Sequence, residues 1–259
     1  MHAALSSRSM LHLSREGCEW ILKRILLVAL LVLSAVAGFG HAYAMPLFTD
    51  TSKQAVFLSP LEDWMPTWNL EDYVSPLEQA GYHVDVLLGE NVTVSFLKTG
   101  LANYDLIILR TDSFPHEGFS FFCSGEPVKS DSRKTFENEI SSREVFVGIC
   151  VGFSLIFLLH YYPPGALRHG LVYVLASHST ELATGFLSGG VAVFVGYDDD
   201  HSLYWGMMDA FSQRLIRNLS NGYSTKEAVL QLYQYLNLGH GATADWPTIH
   251  YYGDGTYKI

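Results

Sequence analysis

The stretch LVYVLASHSTELATGFLSGGVAVFVGY, Leu171 to Tyr197, decides the fold class. It opens on an apolar run, breaks at the polar turn Ser177-His178-Ser179, and continues as an amphipathic segment. A second apolar run closes it. Two buried strands joined by one helix form a parallel strand–helix–strand unit. Both runs are apolar at successive rather than alternate positions, the pattern of a sheet covered on both faces. In open α/β sheets, active-site groups gather beyond the carboxyl ends of the strands. The turn after the first run offers Ser177, His178 and Ser179 at such an edge.

Outward from this block, strand and helix signals alternate. Ala55 to Leu58 reads as a short apolar strand, and a helix follows from about Leu70 to Ala80, stopped at Gly81. Pro76 is predicted to kink that helix or delay its start. Tyr82 to Leu88 alternates as a strand, and Thr93 can cap a short helix running to about Leu101. YDLIILR, Tyr104 to Arg110, reads as a central parallel strand. From Thr111 to Leu167 the pattern loosens. GFSFFC and EVFVGICVGFSLIFLL are strand-like or buried runs around a polar stretch from Ser124 to Arg143, so a hairpin or small subdomain with a mobile loop is predicted. Pro163-Pro164-Gly165 marks a turn. Beyond Tyr197, Asp200 or Ser202 can cap a helix to about Leu219. Ser224-Thr225-Lys226-Glu227 is a capping box for a second helix, with Gly239 as its stop. The final IHYYGDGTYKI reads as a closing strand or hairpin. The expected architecture is a three-layer α/β sandwich with a mostly parallel central sheet.

The N-terminal segment is read as a targeting signal. Lys23 and Arg24 precede an apolar run from Ile25 to Phe39, and Ala42-Tyr43-Ala44 supplies the small residues of a cleavage site. The run is shorter than the ~20 residues of a membrane helix, which favours cleavage over permanent anchoring. Residues 1–44 are thus a signal peptide and 45–259 one exported domain, touching a membrane only through an uncleaved leader. Of 16 basic and 26 acidic residues, four and two fall in the leader, leaving 12 and 24, a net charge of −12. Such acidity argues against a nucleic-acid partner. Outside the leader only Cys123 and Cys150 remain; they form a disulfide in an oxidising compartment or pack as two buried thiols. Asn91 and Asn218 open glycosylation triplets.

Three strand ends carry polar groups: Asp112 and Ser113, then Ser177 and His178, then Asp198 to His201. A serine, a histidine and an aspartate are the ingredients of acyl transfer. A histidine directly after a serine points elsewhere, so a base would come from His116 or His201. Asp198 and Asp200 lie on one side of an extended segment and can share a hard cation such as calcium. Capping of the next helix is the favoured role for these acids. No other cofactor is expected. The turn SPLEDW after the first strand has no glycine, which argues against a nucleotide phosphate loop. Cys150 lies among apolar neighbours that would raise its pKa, so it is read as structural.

In their order and spacing, LEQAGYHVDVL, LANYDLIILR, FFCSGEPV, LVYVLAS, ELATGFLSGGVAVFVGY and STKEAV resemble the caspase-like cysteine peptidase clan, which includes gingipains, legumain-type enzymes and CHAT domains. YYGDG is similar to the close of gingipain-like domains, with Gly255 where proline is usual. The resemblance spans about Ala55 to the end. It implies a histidine after the central strand and a cysteine after the next one. Matched without a gap, those positions hold Asp112 and Ser177. A serine hydroxyl has negligible anion content at neutral pH, and Asp112 would serve it poorly as a base. The resemblance therefore implies a pseudopeptidase: a non-catalytic binding or scaffold module with a protein or peptide ligand. The alternative is an active hydrolase of the same fold using Ser177 with His116 or His178 as base. A third reading is a flavodoxin-like α/β domain whose pattern converges on the same spacing.

Overall fold

The computed structural model describes residues 53–198, 205–239 and 248–259. The leader, Asp199, Asp200, His201 and Ser202 lie outside the described residues. In chain order the elements begin β1 (Lys53–Ser59), α1 (Glu71–Gln79), β2 (Tyr82–Leu88), α2 (Val94–Thr99) and β3 (Leu106–Arg110). Next come β4 (Ser113–His116), β5 (Phe119–Cys123), the short helices α3 (Ser132–Thr135) and α4 (Glu137–Ser141), β6 (Val145–Val147) and β7 (Val151–Phe153). The chain then runs through α5 (Leu155–Tyr161), β8 (Leu171–Leu175), α6 (Ala183–Gly189), β9 (Val193–Tyr197), α7 (Trp205–Ser220), α8 (Thr225–Gly239) and β10 (Ile249–Gly253).

The main sheet has the order β2-β1-β3-β8-β9-β10, parallel except for β10, which runs antiparallel to β9. The double-sided apolar runs explain it. Val56, Leu58, Ile107, Leu109, Val172 and Val174 face one core with Leu97, Phe157 and Phe186. Their neighbours Phe57, Ile108, Tyr173 and Val195 face a second core with Tyr73, Leu77, Leu215 and Leu232. Helices thus cover both faces, giving the three-layer sandwich that the sequence predicts. Each such side chain contributes about 1.5–3 kcal/mol on full burial.

Local signals fix several helix starts. Thr93 Oγ1 accepts from Phe96 N at 3.0 Å at the start of α2. At α8, Glu227 Oε2 accepts from Ser224 N at 2.8 Å, and Glu227 N donates back to Ser224 Oγ at 3.4 Å. Two further amides of that first turn, Thr225 N and Lys226 N, donate to Tyr257 O and Gly255 O, each at 2.9 Å. The tail beyond β10 therefore completes the cap of a helix that begins some thirty residues before it.

Several expectations are corrected. Pro76 lies inside α1 and does not delay its start, which stays at Glu71. The SLIFLL run is the helix α5, capped by Ser154 Oγ accepting from Ile156 N at 3.1 Å. The central strand begins at Leu106. The irregular middle is a four-stranded antiparallel sheet of order β4-β5-β7-β6 inserted between β3 and β8. Cys123 and Cys150 are disulfide-bonded within it.

Arg110 closes β3 and is 1% exposed, as is the Asp209 side chain on α7. Arg110 Nε and Nη2 donate to Asp209 Oδ1 and Oδ2 at 2.8 and 3.2 Å, and Tyr73 Oη donates to Oδ1 at 2.9 Å. The guanidinium also donates to Met65 O at 2.6 Å and Pro66 O at 3.3 Å, while Trp68 N donates to Asp209 Oδ2 at 3.2 Å. One buried pair thus ties α7, β3 and the loop after β1 together.

Candidate functional site

The edge that the resemblance singles out is built by the pairing of β3 with β8. Arg110 lies opposite Leu175, and Thr111 N donates to Leu175 O at 3.0 Å, so the residues after both strands leave the sheet side by side. Ser113 Oγ crosses the gap and donates to Ser177 O at 2.6 Å. From the small sheet, Cys123 N donates to Asp112 O at 2.9 Å, and Thr111 Oγ1 donates to Cys123 O at 2.7 Å. Asp112 and Ser177 thus stand at neighbouring strand ends, with the small sheet inserted between them in the chain.

The turn after β8 is sharp. His178 adopts φ +54°, in the left-handed region that non-glycine residues rarely occupy. Ser179 turns inward and is fully buried. Its Oγ donates to Val174 O at 3.0 Å and accepts from Tyr197 N at 2.8 Å, clamping β8 to β9. Of the three polar residues of this turn, Ser179 is therefore a structural clamp, while Ser177 and His178 stay half-buried at the edge. Glu181, not singled out by the sequence, reaches the hairpin and accepts from Ser120 N at 3.3 Å.

Partial loss of water around the Asp112 carboxyl raises its pKa above the ordinary aspartate value, against the lowering effect of the hydrogen bond from Ser113 N at 2.8 Å. A carboxylate so placed holds a proton more readily than one fully surrounded by water. It does not thereby become strong enough to ionise a serine hydroxyl.

His116 lies elsewhere. It ends β4, three residues beyond Ser113, and an extended strand of that length covers roughly 10 Å. Its ring packs on Phe146 of β6 with centroids 4.1 Å apart, and its Nε2 lies 3.9 Å from Glu117 Oε1. The structure does not bring His116 to Ser177. His178 directly follows Ser177 in the chain.

Asp198, at the third strand end, has its Oδ2 2.7 Å from Nε2 of His250 on β10. Its proposed companion in a calcium site, Asp200, is outside the described residues. Among the described residues no group of three histidine, cysteine or acidic side chains is arranged around a metal position.

No protein-family model matches the chain, and no curated protein is similar to it in sequence. Among solved structures it is similar to the Drosophila initiator caspase Dronc, with a TM-score of 0.41 and 8% identity over 79% of this chain and 80% of that one.

Proposed function

We propose that this chain is an exported caspase-like pseudopeptidase that acts as a non-catalytic binding or scaffold module. The observation that carries the reading is the residue pair at the β3–β8 edge. Asp112 and Ser177 occupy the strand ends where the family resemblance implies a histidine and a cysteine. His116, the candidate replacement base, is committed to Phe146. Cysteine attack needs a thiolate, and a serine in its place needs a base within hydrogen-bonding reach. The export part of the reading is supported by the leader sequence and by the buried Cys123–Cys150 disulfide, which suits an oxidising compartment.

One observation favours a second reading, a Ser177 hydrolase with His178 as base. Strained backbone of the kind His178 adopts is concentrated at functional sites. A peptide-library cleavage assay on the parent protein, Ser177→Ala and Ser177→Cys separates the two. The pseudopeptidase reading expects no turnover by the parent or the alanine variant. Cleavage by the parent that disappears in Ser177→Ala overturns it and establishes the hydrolase.

A further inference from the structure

A groove separate from the β3–β8 edge runs along the carboxyl ends of β1 and β2 and the end of β5. It encloses about 300 Å³. On its rim stand Trp64, 68% exposed, and Ile149, 74% exposed, the two most exposed large apolar side chains among the described residues. Val128 joins them at 47%. Large apolar groups left in water at one place mark an interaction site, whereas scattered ones do not. Asp63, Glu90 and Glu126 also line this groove, with no lysine, arginine or histidine lining it among the described residues.

The walls are held rigidly. Gly125 N donates to Val92 O at 2.8 Å, and the two loops approach so closely that a Cβ on Gly125 would lie 1.8 Å from Gly89 O. Glu126 Oε2 accepts from Val94 N at 3.3 Å, and the disulfide pins Cys150 beside Ile149. The loop bearing Trp64 is fastened from behind by Arg110 through Met65 O and Pro66 O. A groove shaped before its ligand arrives loses less freedom on binding.

We propose that this groove docks a partner polypeptide segment in which lysine or arginine alternates with large apolar side chains. The apolar side chains would seat between Trp64, Val128 and Ile149. The cationic groups would face the three carboxylates and the indole, both of which attract positive charge. A second copy of the chain is a poor occupant, since each copy carries a net charge of −10 and repels the other. An anionic lipid surface is disfavoured by the same carboxylates and by the concave shape. The proposal goes beyond the pseudopeptidase reading and holds whether or not Ser177 is reactive.

The test is fluorescence anisotropy of labelled synthetic peptides on the full chain. The peptides are LKLRLK, its charge-reversed partner LELELE, and the apolar-depleted SKSRSK. Saturable binding is expected for LKLRLK alone, weakened by salt and by about tenfold in Asp63→Asn/Glu90→Gln and in Ile149→Ser. All three substitutions are at exposed positions, and unchanged circular dichroism and melting certify the fold. The proposal is overturned by equal binding of LELELE, by variants that bind within about twofold of the parent, or by no saturable binding of LKLRLK. Adsorption to phosphatidylserine vesicles that LKLRLK does not displace also overturns it.

Discussion

Removing the Asp209 carboxylate should unfold this protein more readily than any surface change of similar size. In Asp209→Ala the Arg110 guanidinium keeps its charge inside a site where it is 1% exposed, and it loses two hydrogen bonds at 2.8 and 3.2 Å. Tyr73 Oη and Trp68 N lose an acceptor in the same step. Breaking a buried pair from one side costs about 3–5 kcal/mol, because the surviving charge loses its closest counter-ion inside the protein. With a urea m-value of about 2 kcal/mol/M, the midpoint should fall by about 2 M. Arg110→Met should cost a comparable amount, since it strands the carboxylate and frees Met65 O and Pro66 O. The two losses should not add: the double variant removes both charges together and should be about as stable as either single one. Urea titration of all four proteins, followed by circular dichroism, gives the cycle. A midpoint shift below about 0.5 M for Asp209→Ala, or single losses that add within about 0.5 kcal/mol, would refute the reasoning.

Two further predictions follow from groups nearer the strand-end site. Reducing the Cys123–Cys150 bond, or replacing both cysteines by alanine, opens a loop of sequence separation 27 and should lower stability by about 3–4 kcal/mol. Parallel denaturation with and without reductant measures it, and an unchanged midpoint would show that the bond constrains nothing. Asp112 as a whole is exposed, but partial desolvation of its carboxyl raises its pKa above the unfolded-state value, so the fold favours its neutral form modestly. Its stabilising contribution is full below about pH 4, is lost as pH rises through the raised value, and at neutral pH the ionised group is a net penalty. Asp112→Asn should therefore raise the Tm at pH 7 and leave it unchanged at strongly acid pH. A gain that persists undiminished in acid would sink this assignment.

The sheet was legible because its strands are apolar on both faces, a pattern that partly exposed strands do not show. The parallel pairing of β8 with β9 was legible because a single helix joins the two apolar runs of Leu171 to Tyr197. Thr93 and Ser224-Glu227 were legible for a local reason: a cap and its helix are within three residues of each other. What escaped the sequence was non-local. Arg110 looks like a strand-end residue reaching water, and nothing around it points to Asp209, 99 positions away. The small sheet was hidden because β6 and β7 are three residues long, too short for any period to register. His116 read as a base beside the edge because sequence distance is short, and an extended hairpin strand carried it off to Phe146.

The cap of α8 by the chain tail has a consequence for how this molecule is made. The amides of Thr225 and Lys226 depend on the carbonyls of Tyr257 and Gly255, so a ribosome that has released everything through α8 has not yet delivered the groups that finish that helix. β10 closes the open edge of β9 only from the same late segment. A nascent chain stalled before Ile249 therefore presents an unpaired strand edge together with a helix held only by its Ser224–Glu227 box, with two first-turn amides unmatched; unpaired edges are features that chaperones and proteases engage. Residues 249–259 thus complete a sheet edge and a helix cap at once.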